Sequence, residues 1–393
     1  MYYLHHYFNP DFNHTHRAPV QEPDGTVNPR YLGYVQNVVR GQILAELMDL
    51  QSFPAKSRDP RFIYEERHLP IGPNCAPHAG NPNKIVATAN GYVFYNNGLI
   101  SVKKLLNIRG DLCFATGNVF YVGETAVHGD IQTGFALHAD KVLVKGHIGR
   151  SRVKADGDIL CLKGIRGGET TESDPHEEKI EEETAEPVAL LDAGGNLRLR
   201  FCEHAQIRAG GNVIIEESCV HSTLYVGGNL LIKGRLQGGT VVSDGLIYVG
   251  DRMGSDFGET TRVVMGYDPF DYLQLHENSD KIAYLEDRKA FFEYMYTRKK
   301  DVNNEYEECI RLVKQILKAI IRKNRELWDN FEVEGAPAST CRLVVNGKVM
   351  PGCEIYIGKN CLKTQYMDSN LTFLLENGEV AMHHNDQYIR KRQ

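Results

Sequence analysis

Short alternating apolar segments, each closed by glycine or a small polar residue, dominate the chain before residue 270. Their alternation and their many β-branched residues are typical of strands, and they are too short to form helices. Clear examples are the segments 142–144, 213–215, 224–226, 230–232 and 246–249. The pattern therefore predicts a fold made mainly of short β-strands.

A Gly-Asp or Gly-Asn pair followed by an aliphatic residue recurs seven times along this region. The pairs are Gly110-Asp111, Gly117-Asn118, Gly129-Asp130, Gly157-Asp158, Gly195-Asn196, Gly211-Asn212 and Gly228-Asn229. From Gly195 to Gly245 the interval is 16 or 17 residues, which suits one coil of three strands of ordinary length. We expect each glycine to take a positive φ and each Asp or Asn to bond its own backbone at a corner.

Coils of this kind stack, because a single coil cannot bury its apolar face alone. The repeat therefore predicts a parallel β-helix. A left-handed hexapeptide β-helix is the nearest rival, but its coil of about 18 residues does not fit these intervals. The spacing by itself leaves the handedness open.

The periodicity changes after Asp268-Pro269, where core positions begin to recur at alternating steps of three and four, apolar except for three lysines that make the seam imperfect. The positions that follow this pattern are Ile282, Leu285, Lys289, Phe292, Tyr296, Lys299, Tyr306, Cys309, Val313, Ile316, Ile320, Lys323 and Leu327. The pattern breaks at 300–304, where an Asn pair favours a turn. An antiparallel coiled-coil hairpin that projects from the solenoid is predicted here, and two helices lying flat on the solenoid are the alternative.

Strand-like segments return at 342–345, 354–357 and 371–375, and we expect them to rejoin the solenoid and cap its end. The chain is accordingly divided into an N-terminal region at 1–80, a parallel β-helix at 81–268 with an acidic insertion at 169–187, a coiled-coil hairpin at 269–333, and returning strands at 334–393.

Composition and charge narrow the range of partners and compartments. The net charge is −6, and 169–187 holds nine carboxylates against Lys179 alone, so nucleic acid is not expected as a partner. Nine cysteines are scattered without a CxxC pair, which indicates a reducing compartment. The chain contains no apolar run long enough to span a bilayer and its start does not resemble a signal peptide. The sequence therefore predicts a cytoplasmic protein without membrane insertion.

Several segments together resemble the bacterial FapA (flagellar assembly protein A) family. They are Val127-His128-Gly129-Asp130-Ile131, Thr116-Gly117-Asn118-Val119, Gly164-Ile165-Arg166-Gly167, Met253-Gly254-Ser255 and Val349-Met350-Pro351-Gly352-Cys353. The resemblance implies a right-handed β-helix and a link to flagellar assembly or to polar placement of cell machinery. Members of that family often carry a separate N-terminal domain, which we expect to be truncated or divergent here.

Candidate chemistry is sparse. Asp111, Asp130 and Asp158 could supply the carboxylates of a polysaccharide lyase, but each follows a turn glycine, where local backbone bonding explains an aspartate. His128 and His138 could serve as a general base for acyl transfer only if they met in a cleft.

Paired histidines are the only candidates for metal ligands, at His5-His6, at His14 and His16, and at His383-His384. They lack a matching set of cysteines or carboxylates. We also find no phosphate-binding loop, nucleophile elbow or dinucleotide motif. No catalytic, cofactor-binding or metal-binding residue is therefore predicted.

These observations favour a non-enzymatic scaffold or adaptor that binds protein partners through a β-helix face or the coiled-coil hairpin. Two alternatives of other classes stay open. One is a carbohydrate-active β-helix enzyme. The other is a self-assembling protein of the cytoskeletal type, in which coil ends stack into a homo-oligomer.

Overall fold

The computed structural model describes residues 1–13, 19, 28–168, 189–298, 305–333 and 341–385. The acidic insertion at 169–187 and the predicted hairpin turn at 300–304 lie outside these residues. The chain divides into two compact units, Met1–Arg208 and Ala209–Gln393. The described residues form a mainly β protein with two long helices.

Two antiparallel sheets open the first unit. The five-stranded sheet has the order Ile63–Tyr64, Tyr2–His6, Ile43–Asp49, Asn81–Ala87 and Cys75–His78, and the three-stranded sheet has the order Asn37–Val38, Gly91–Asn96 and Leu99–Lys103. Short 3-10 helices lie at Leu50–Ser52, Ala55–Ser57 and Pro60–Phe62. Leu4, Leu44 and Ile85 are fully buried between these elements. The predicted boundary at residue 81 falls inside the larger sheet, because alternating apolar residues mark antiparallel strands and coil strands alike.

Parallel coils of three sides follow from Leu105. Side one consists of Leu105–Ile108, Glu124–Val127, Lys141–Val144, Ile159–Cys161 and Leu197–Glu203. Side two consists of single parallel bridges joining Leu112, Ile131, Ile148 and Ile165, the last within the short strand Gly164–Arg166. Side three consists of Val119–Phe120, Ala136–Ala139, Arg152–Ala155 and Leu190–Ala193. A further strand, Gln206–Ala209, crosses the division between the units.

The second unit contains the same kind of coil. Its strands before the helices are Val213–Val226, Leu230–Ile232, Arg235–Ser243, Leu246–Val249, Arg252–Met253 and Thr261–Met265. Helix α1 spans Pro269–Arg298 and helix α2 spans Glu305–Val333. After the helices, Arg342–Val349 pairs parallel with Leu246–Val249, and Glu354–Ile357 pairs parallel with Thr261–Met265. The helices are thus inserted between successive coils.

Antiparallel strands close the second unit. Asn360–Lys363 pairs with Glu354–Ile357, Asp368–Glu376 pairs with Arg342–Val349, and Glu379–His384 pairs with Asp368–Glu376. The outer edge of the last coil strand is therefore occupied by backbone hydrogen bonds from the same chain.

The corner glycines are needed for close approach of the coils. Of the seven motif glycines only Gly117 has a positive φ, so the prediction that each glycine takes a positive φ is wrong for the other six. A Cβ on Gly228 would lie 2.8 Å from the carbonyl oxygen of Gly211 in the preceding coil, and one on Gly146 would clash with the carbonyl of Gly129. Stacked backbones leave no room for a side chain at these corners.

The Asp and Asn residues bond the next coil and not their own turn. The Asp130 Oδ1 accepts a hydrogen bond from the backbone N–H of His147 at 2.7 Å, 17 residues further along. In the second unit, the Asn212 Oδ1 accepts from the N–H of Asn229 at 2.9 Å, and the Asn229 Oδ1 accepts from the N–H of Leu246 at 2.9 Å. Each of these three bonds spans 17 residues, whereas the equivalent bond from the Asp130 N–H to Asp111 spans 19, so the ladder sets the stacking of the coils and allows some variation in their length.

The two helices run antiparallel, as shown by contacts between them. The Asn278 Nδ2 donates to the Asn324 Oδ1 at 2.7 Å, and Lys314 lies 3.3 Å from Glu293. The predicted positions Ile316 and Lys323 do not point inward. Leu317 is buried in place of Ile316, and Asn324 meets α1 in place of Lys323, because a helix with 3.6 residues per turn drifts from a 3.5-residue repeat.

Neither helix, within the described residues, is long and apolar enough to cross a membrane.

The ring of His6 packs among aromatic side chains in the first unit. Its centroid lies 4.3 Å from that of Phe62, 5.3 Å from that of Phe8 and 5.7 Å from that of Tyr95. The buried Nε2 has no hydrogen-bond partner among the described residues. Burial lowers the pKa of His6 to about 4, and the neighbouring His5 adds to this effect.

We predict that replacing Gly146 by alanine destabilises the first unit by about 1–3 kcal/mol, because the added methyl group forces the stacked coils apart. Gly110→Ala is the matched control. Gly110 lies at the same corner of an earlier coil, between sides one and two, but a Cβ there meets nothing within 4 Å, so a change below about 0.5 kcal/mol is expected. Urea denaturation followed by circular dichroism measures both variants. Equal losses would contradict the stacking explanation.

We also predict that the first unit loses stability as the pH falls from about 6.5 towards 4, because only the unfolded chain then protonates His6. Above pH 6.5 His6 is neutral in both states and the free energy of unfolding has its full value. Towards pH 4 the part of this free energy that is lost through His6 is about 2 kcal/mol, after allowance for the partial exposure of the ring. Denaturation midpoints of the parent and of His6→Leu, measured between pH 4 and 8, test this. The variant should show the shallower dependence, and parallel curves would count against the role of His6.

Candidate functional site

The aspartates considered from the sequence do not converge. Asp111 and Asp130 lie at the corner between sides one and two, where the Asp111 Oδ1 accepts from the Asp130 N–H at 2.8 Å. Asp158 lies at the corner between sides three and one and accepts from the Asn196 N–H at 2.7 Å. Each carboxylate is thus engaged in coil stacking, and the two corners are separate.

The two candidate general bases are also apart. His128 follows a strand of side one, and its ring nitrogens lie 3.2 Å from Asn107 Oδ1 and 3.2 Å from Lys145 Nζ. His138 lies on side three, with Nε2 3.1 Å from Asp156 Oδ1. The coil places them on different sides, so they do not share a cleft within the chain.

In each of the two terminal pairs, the two neighbouring histidine side chains lie on opposite faces of their strand. His5 packs on Tyr7 while His6 packs on Phe62. His383 lies 3.0 Å from Glu376, and His384 lies 3.6 Å from Asp368. His14 and His16 lie outside the described residues. Among the described residues, no three His, Cys, Asp or Glu side chains are grouped so as to hold a metal ion.

The nine cysteines are all free. Five are buried, namely Cys161, Cys202, Cys219, Cys341 and Cys353, while Cys361 is exposed. Burial raises the pKa of Cys161 and that of Cys353 to about 11. Because the thiolate is the reactive form, these two thiols are poor nucleophiles at neutral pH.

A cavity lies in the second unit, where the helix pair leaves the solenoid. Proline at the start of α1 and an Asp268 cap fix this junction: the Asp268 Oδ1 accepts from the N–H groups of Phe270 and Asp271, both at 2.9 Å. Leu273 then packs with Tyr225, Val242 and Val264 of the coil wall. The first turns of α1 are therefore anchored on the solenoid.

The last turns of α2 return to the same place. Phe331 and Leu327 pack with Leu275 of α1, and Tyr267 and Tyr272 lie against this cluster. The Tyr267 ring centroid is 4.9 Å from that of Phe331 and 6.4 Å from that of Tyr272. Burial raises the pKa of both tyrosines above the ordinary range.

These elements enclose a cavity of about 660 Å³ that we call the aromatic cleft. Five aromatic residues define it: Tyr267, Tyr272, Trp328, Phe331 and Tyr356. Three basic residues, Arg262, His276 and Lys359, also line it. Trp328 is the one tryptophan of the chain, and it is 57% exposed although it lies at the base of the helix pair.

The charged groups of the cleft lie on the solenoid wall. The guanidinium of Arg262 donates from Nε and from its terminal nitrogen to the Glu354 Oε2, at 3.2 and 3.0 Å. Lys363 lies 3.4 Å from the other oxygen of Glu354. Hydrogen bonding to Arg262 lowers the pKa of Glu354. Two cations thus share one carboxylate, and the group as a whole is positive.

The sequence predictions did not include this cleft. Its rings are contributed by three distant segments: the junction before α1, the end of α2, and the strand Glu354–Ile357 that returns after the helices. The available signal was the density of aromatic residues at both ends of the helical region, Tyr267, Phe270 and Tyr272 at one end and Trp328 and Phe331 at the other. Tyr356 joins them only through the parallel pairing of its strand with Thr261–Met265.

Stacked parallel coils with a helix pair inserted between two of them define a β-solenoid protein. The model of the Flagellar Assembly Protein A beta solenoid domain, FapA, matches residues 104–380. The chain therefore belongs to the FapA family, as its motifs indicated. Comparisons with curated proteins and with solved structures found no match.

We predict that two aromatic residues of the cleft differ in their contribution to stability: Phe331 is needed for packing, whereas Trp328 is largely exposed and is not. Phe331 is 6% exposed, so Phe331→Ala should destabilise the second unit by about 3–5 kcal/mol. Trp328→Ala, three residues earlier on α2, should lose less than about 1.5 kcal/mol, because it forfeits mainly an edge-to-face contact with Phe331. Thermal unfolding of both variants, followed by the helical circular dichroism signal, measures the difference. Similar losses would show that Trp328 is part of the packed base.

Proposed function

We propose that this protein is a non-enzymatic scaffold or adaptor of the FapA type that binds protein partners and takes part in flagellar assembly in the bacterial cytoplasm. The family match supports the flagellar connection. We further propose that the solenoid is a right-handed parallel β-helix and that the helix pair is a coiled coil. Nucleic acid is not part of this proposal.

The observation that carries the proposal is the double anchoring of the helix pair. Val263 pairs with Ile355 across the insertion, and Ile247 pairs with Leu343. The strand before the arm and the strand after it therefore each pair in parallel with a neighbouring coil. Such an arm has a fixed origin, which suits the presentation of a binding surface.

The helices expose several large apolar side chains that a partner could cover. Exposed side chains on α1 and α2 include Tyr284, Phe291, Tyr294, Leu312, Ile316 and Ile321. Arg288 lies 5.2 Å above the ring of Phe292 and 5.7 Å from that of Phe291. Aromatic residues and arginine are the residue types enriched at the centres of protein interfaces.

The closing strands favour a discrete particle over a growing filament. Val344 of the last coil pairs with Thr372, and Phe373 in turn pairs with Met382. An occupied edge does not template another chain. This observation supports an adaptor with a limited number of copies, and a homo-oligomer through another surface stays compatible with it.

We predict that the exposed face of α1 is required for partner capture. The parent chain and a Tyr284→Ser, Phe291→Ser double variant are immobilised, and proteins captured from lysate of the native cell are quantified by mass spectrometry. The double variant should capture at least tenfold less of the partner. Truncating a central aromatic residue of an interface removes about 2 kcal/mol or more of binding free energy. A second variant replaces Asp271 to Phe331 by a short flexible linker and should lose capture fully.

Phe257→Ser is the matched control, since Phe257 is 87% exposed but lies in the solenoid and not on the helices. It should capture the partner as the parent does. Unchanged capture by the double variant and by the deletion would refute the role of the helical arm. Turnover of any bacterial surface polysaccharide by the purified parent would refute the non-enzymatic assignment.

A further inference from the structure

The aromatic cleft of the second unit has the dimensions of a small-molecule site. Its five aromatic residues line it together with Val264 and Leu275. Its volume of about 660 Å³ lies within the range of about 300–1,000 Å³ found for such sites. Because protein interiors are close-packed, a cavity of this size that served packing alone would be filled by side chains.

The basic residues of the cleft already have partners within the chain. Arg262 is ion-paired with Glu354 at 3.0 Å, and Lys359 also interacts within the chain. Lys363, the second cation on Glu354, does not line the cleft, and 61% of its side chain is exposed. An anionic ligand would therefore give up its hydration in the cleft without gaining an unpaired cation there, which disfavours it.

A cationic ligand is disfavoured for a different reason. Among the described residues that line the cleft there is no Asp or Glu, and Glu354 is engaged by Arg262 and Lys363. A positive group placed over the rings would also be repelled by Arg262. The electrostatics of the cleft thus favour an uncharged ligand.

The rings decide between an aromatic ligand and an aliphatic one. Trp328 is 57% exposed, and its only ring contact among the described residues is the edge-to-face contact with Phe331. The two ring centroids are 5.9 Å apart and the interplanar angle is 85°. Such a contact leaves a face of the indole available for offset stacking, which a saturated ligand cannot supply.

We propose that the aromatic cleft binds an uncharged small molecule with a planar aromatic ring system. The ring stacks on Trp328 at the helix wall and contacts Tyr356 at the solenoid wall. Such a ligand touches both the helix pair and the solenoid, because residues of both line the cleft. The site goes beyond the scaffold role and does not depend on it.

Phenyl naphthylamine is a suitable probe, because it is uncharged and aromatic and fluoresces when it leaves water. Anilinonaphthalene sulfonate has the same rings with an added negative charge and serves as the matched ligand. Trp328, as the sole tryptophan of the chain, reports binding in this cleft by transferring its excitation to the dye.

We expect saturable binding of one phenyl naphthylamine per chain, with quenching of Trp328. The sulfonate dye should bind no more tightly, because burial of its charge costs hydration. Absence of saturable binding to the parent, or tighter binding of the sulfonate dye, would overturn the proposal.

Displacement of the bound dye separates aromatic ligands from aliphatic ones. Naphthol and menthol are both uncharged at neutral pH, with the same number of carbon atoms and a single hydroxyl group. Naphthol should displace phenyl naphthylamine at about tenfold lower concentration, because only naphthol can stack on the indole. Displacement by menthol at an equal or lower concentration would refute the preference for an aromatic ring.

Two substitutions in the cleft place the dye there, and the dye's own fluorescence follows both. Trp328→Ala should weaken binding about tenfold, whereas Trp328→Phe keeps a ring and should stay within about threefold of the parent. Ser279 is an exposed residue of α1 that lines the cleft. Ser279→Phe fills the cleft from the side of the helix and should weaken binding at least tenfold.

Two variants outside the cleft act as controls. Phe257→Ala removes a ring that is 87% exposed, and Lys318→Phe adds a ring at an exposed position of α2. Both should bind phenyl naphthylamine like the parent. The proposal is overturned if Trp328→Ala and Ser279→Phe bind the dye as tightly as these controls. None of these results depends on partner capture.

Discussion

Close stacking of coil backbones at the corners is the constraint on which the rest of this protein depends. At Gly228 and at Gly146 the preceding coil approaches until no Cβ can be placed. The Asp and Asn residues of the Gly-Asp and Gly-Asn corners then bond the neighbouring backbone, as the Asn229 Oδ1 does with the Leu246 N–H at 2.9 Å. The glycine sets the distance between coils, and the amide or carboxylate sets their register. The aliphatic residue that follows is directed into a shared core.

The same register explains how a long helical arm is tolerated. Ordinary coils close after 17 residues, whereas Arg262 and Glu354 are 92 residues apart. Loop-closure entropy grows only with the logarithm of length, so the longer connection costs about 1.5 kcal/mol more than an ordinary coil. The buried packing of Leu273 on the coil wall and of Phe331 on Leu275 offsets such an amount. The insertion is inexpensive because the strands that flank it, Thr261–Met265 and Arg342–Val349, both stay paired with neighbouring coils.

The repeat made the solenoid predictable, since Gly-Asp and Gly-Asn pairs recur at nearly the interval that the ladders impose. The physical reason for the glycines was not predictable in the same way, because steric contact between coils is absent from a linear pattern. The predicted inward-facing positions Ile316 and Lys323 were wrong, and Leu317 and Asn324 occupy that role instead. The helices are long, so the small difference between a 3.5-residue repeat and the true helical period accumulates along them. The aromatic cleft required knowledge of which distant strand lies beside Thr261–Met265, and only the pairing supplies it.

The position of the cleft follows from the position of the arm. Where a helix pair leaves a solenoid wall, the wall side chains must change from contacts with solvent to contacts with helices within one or two turns. Tyrosine suits such a boundary, because its ring packs on apolar neighbours while its hydroxyl stays near water. Tyr267 and Tyr272 meet this need and Phe331 completes the packing. Trp328 does not take part in this packing, since more than half of it is exposed. Its exposure at the edge of the cleft is therefore not explained by the anchoring of the arm.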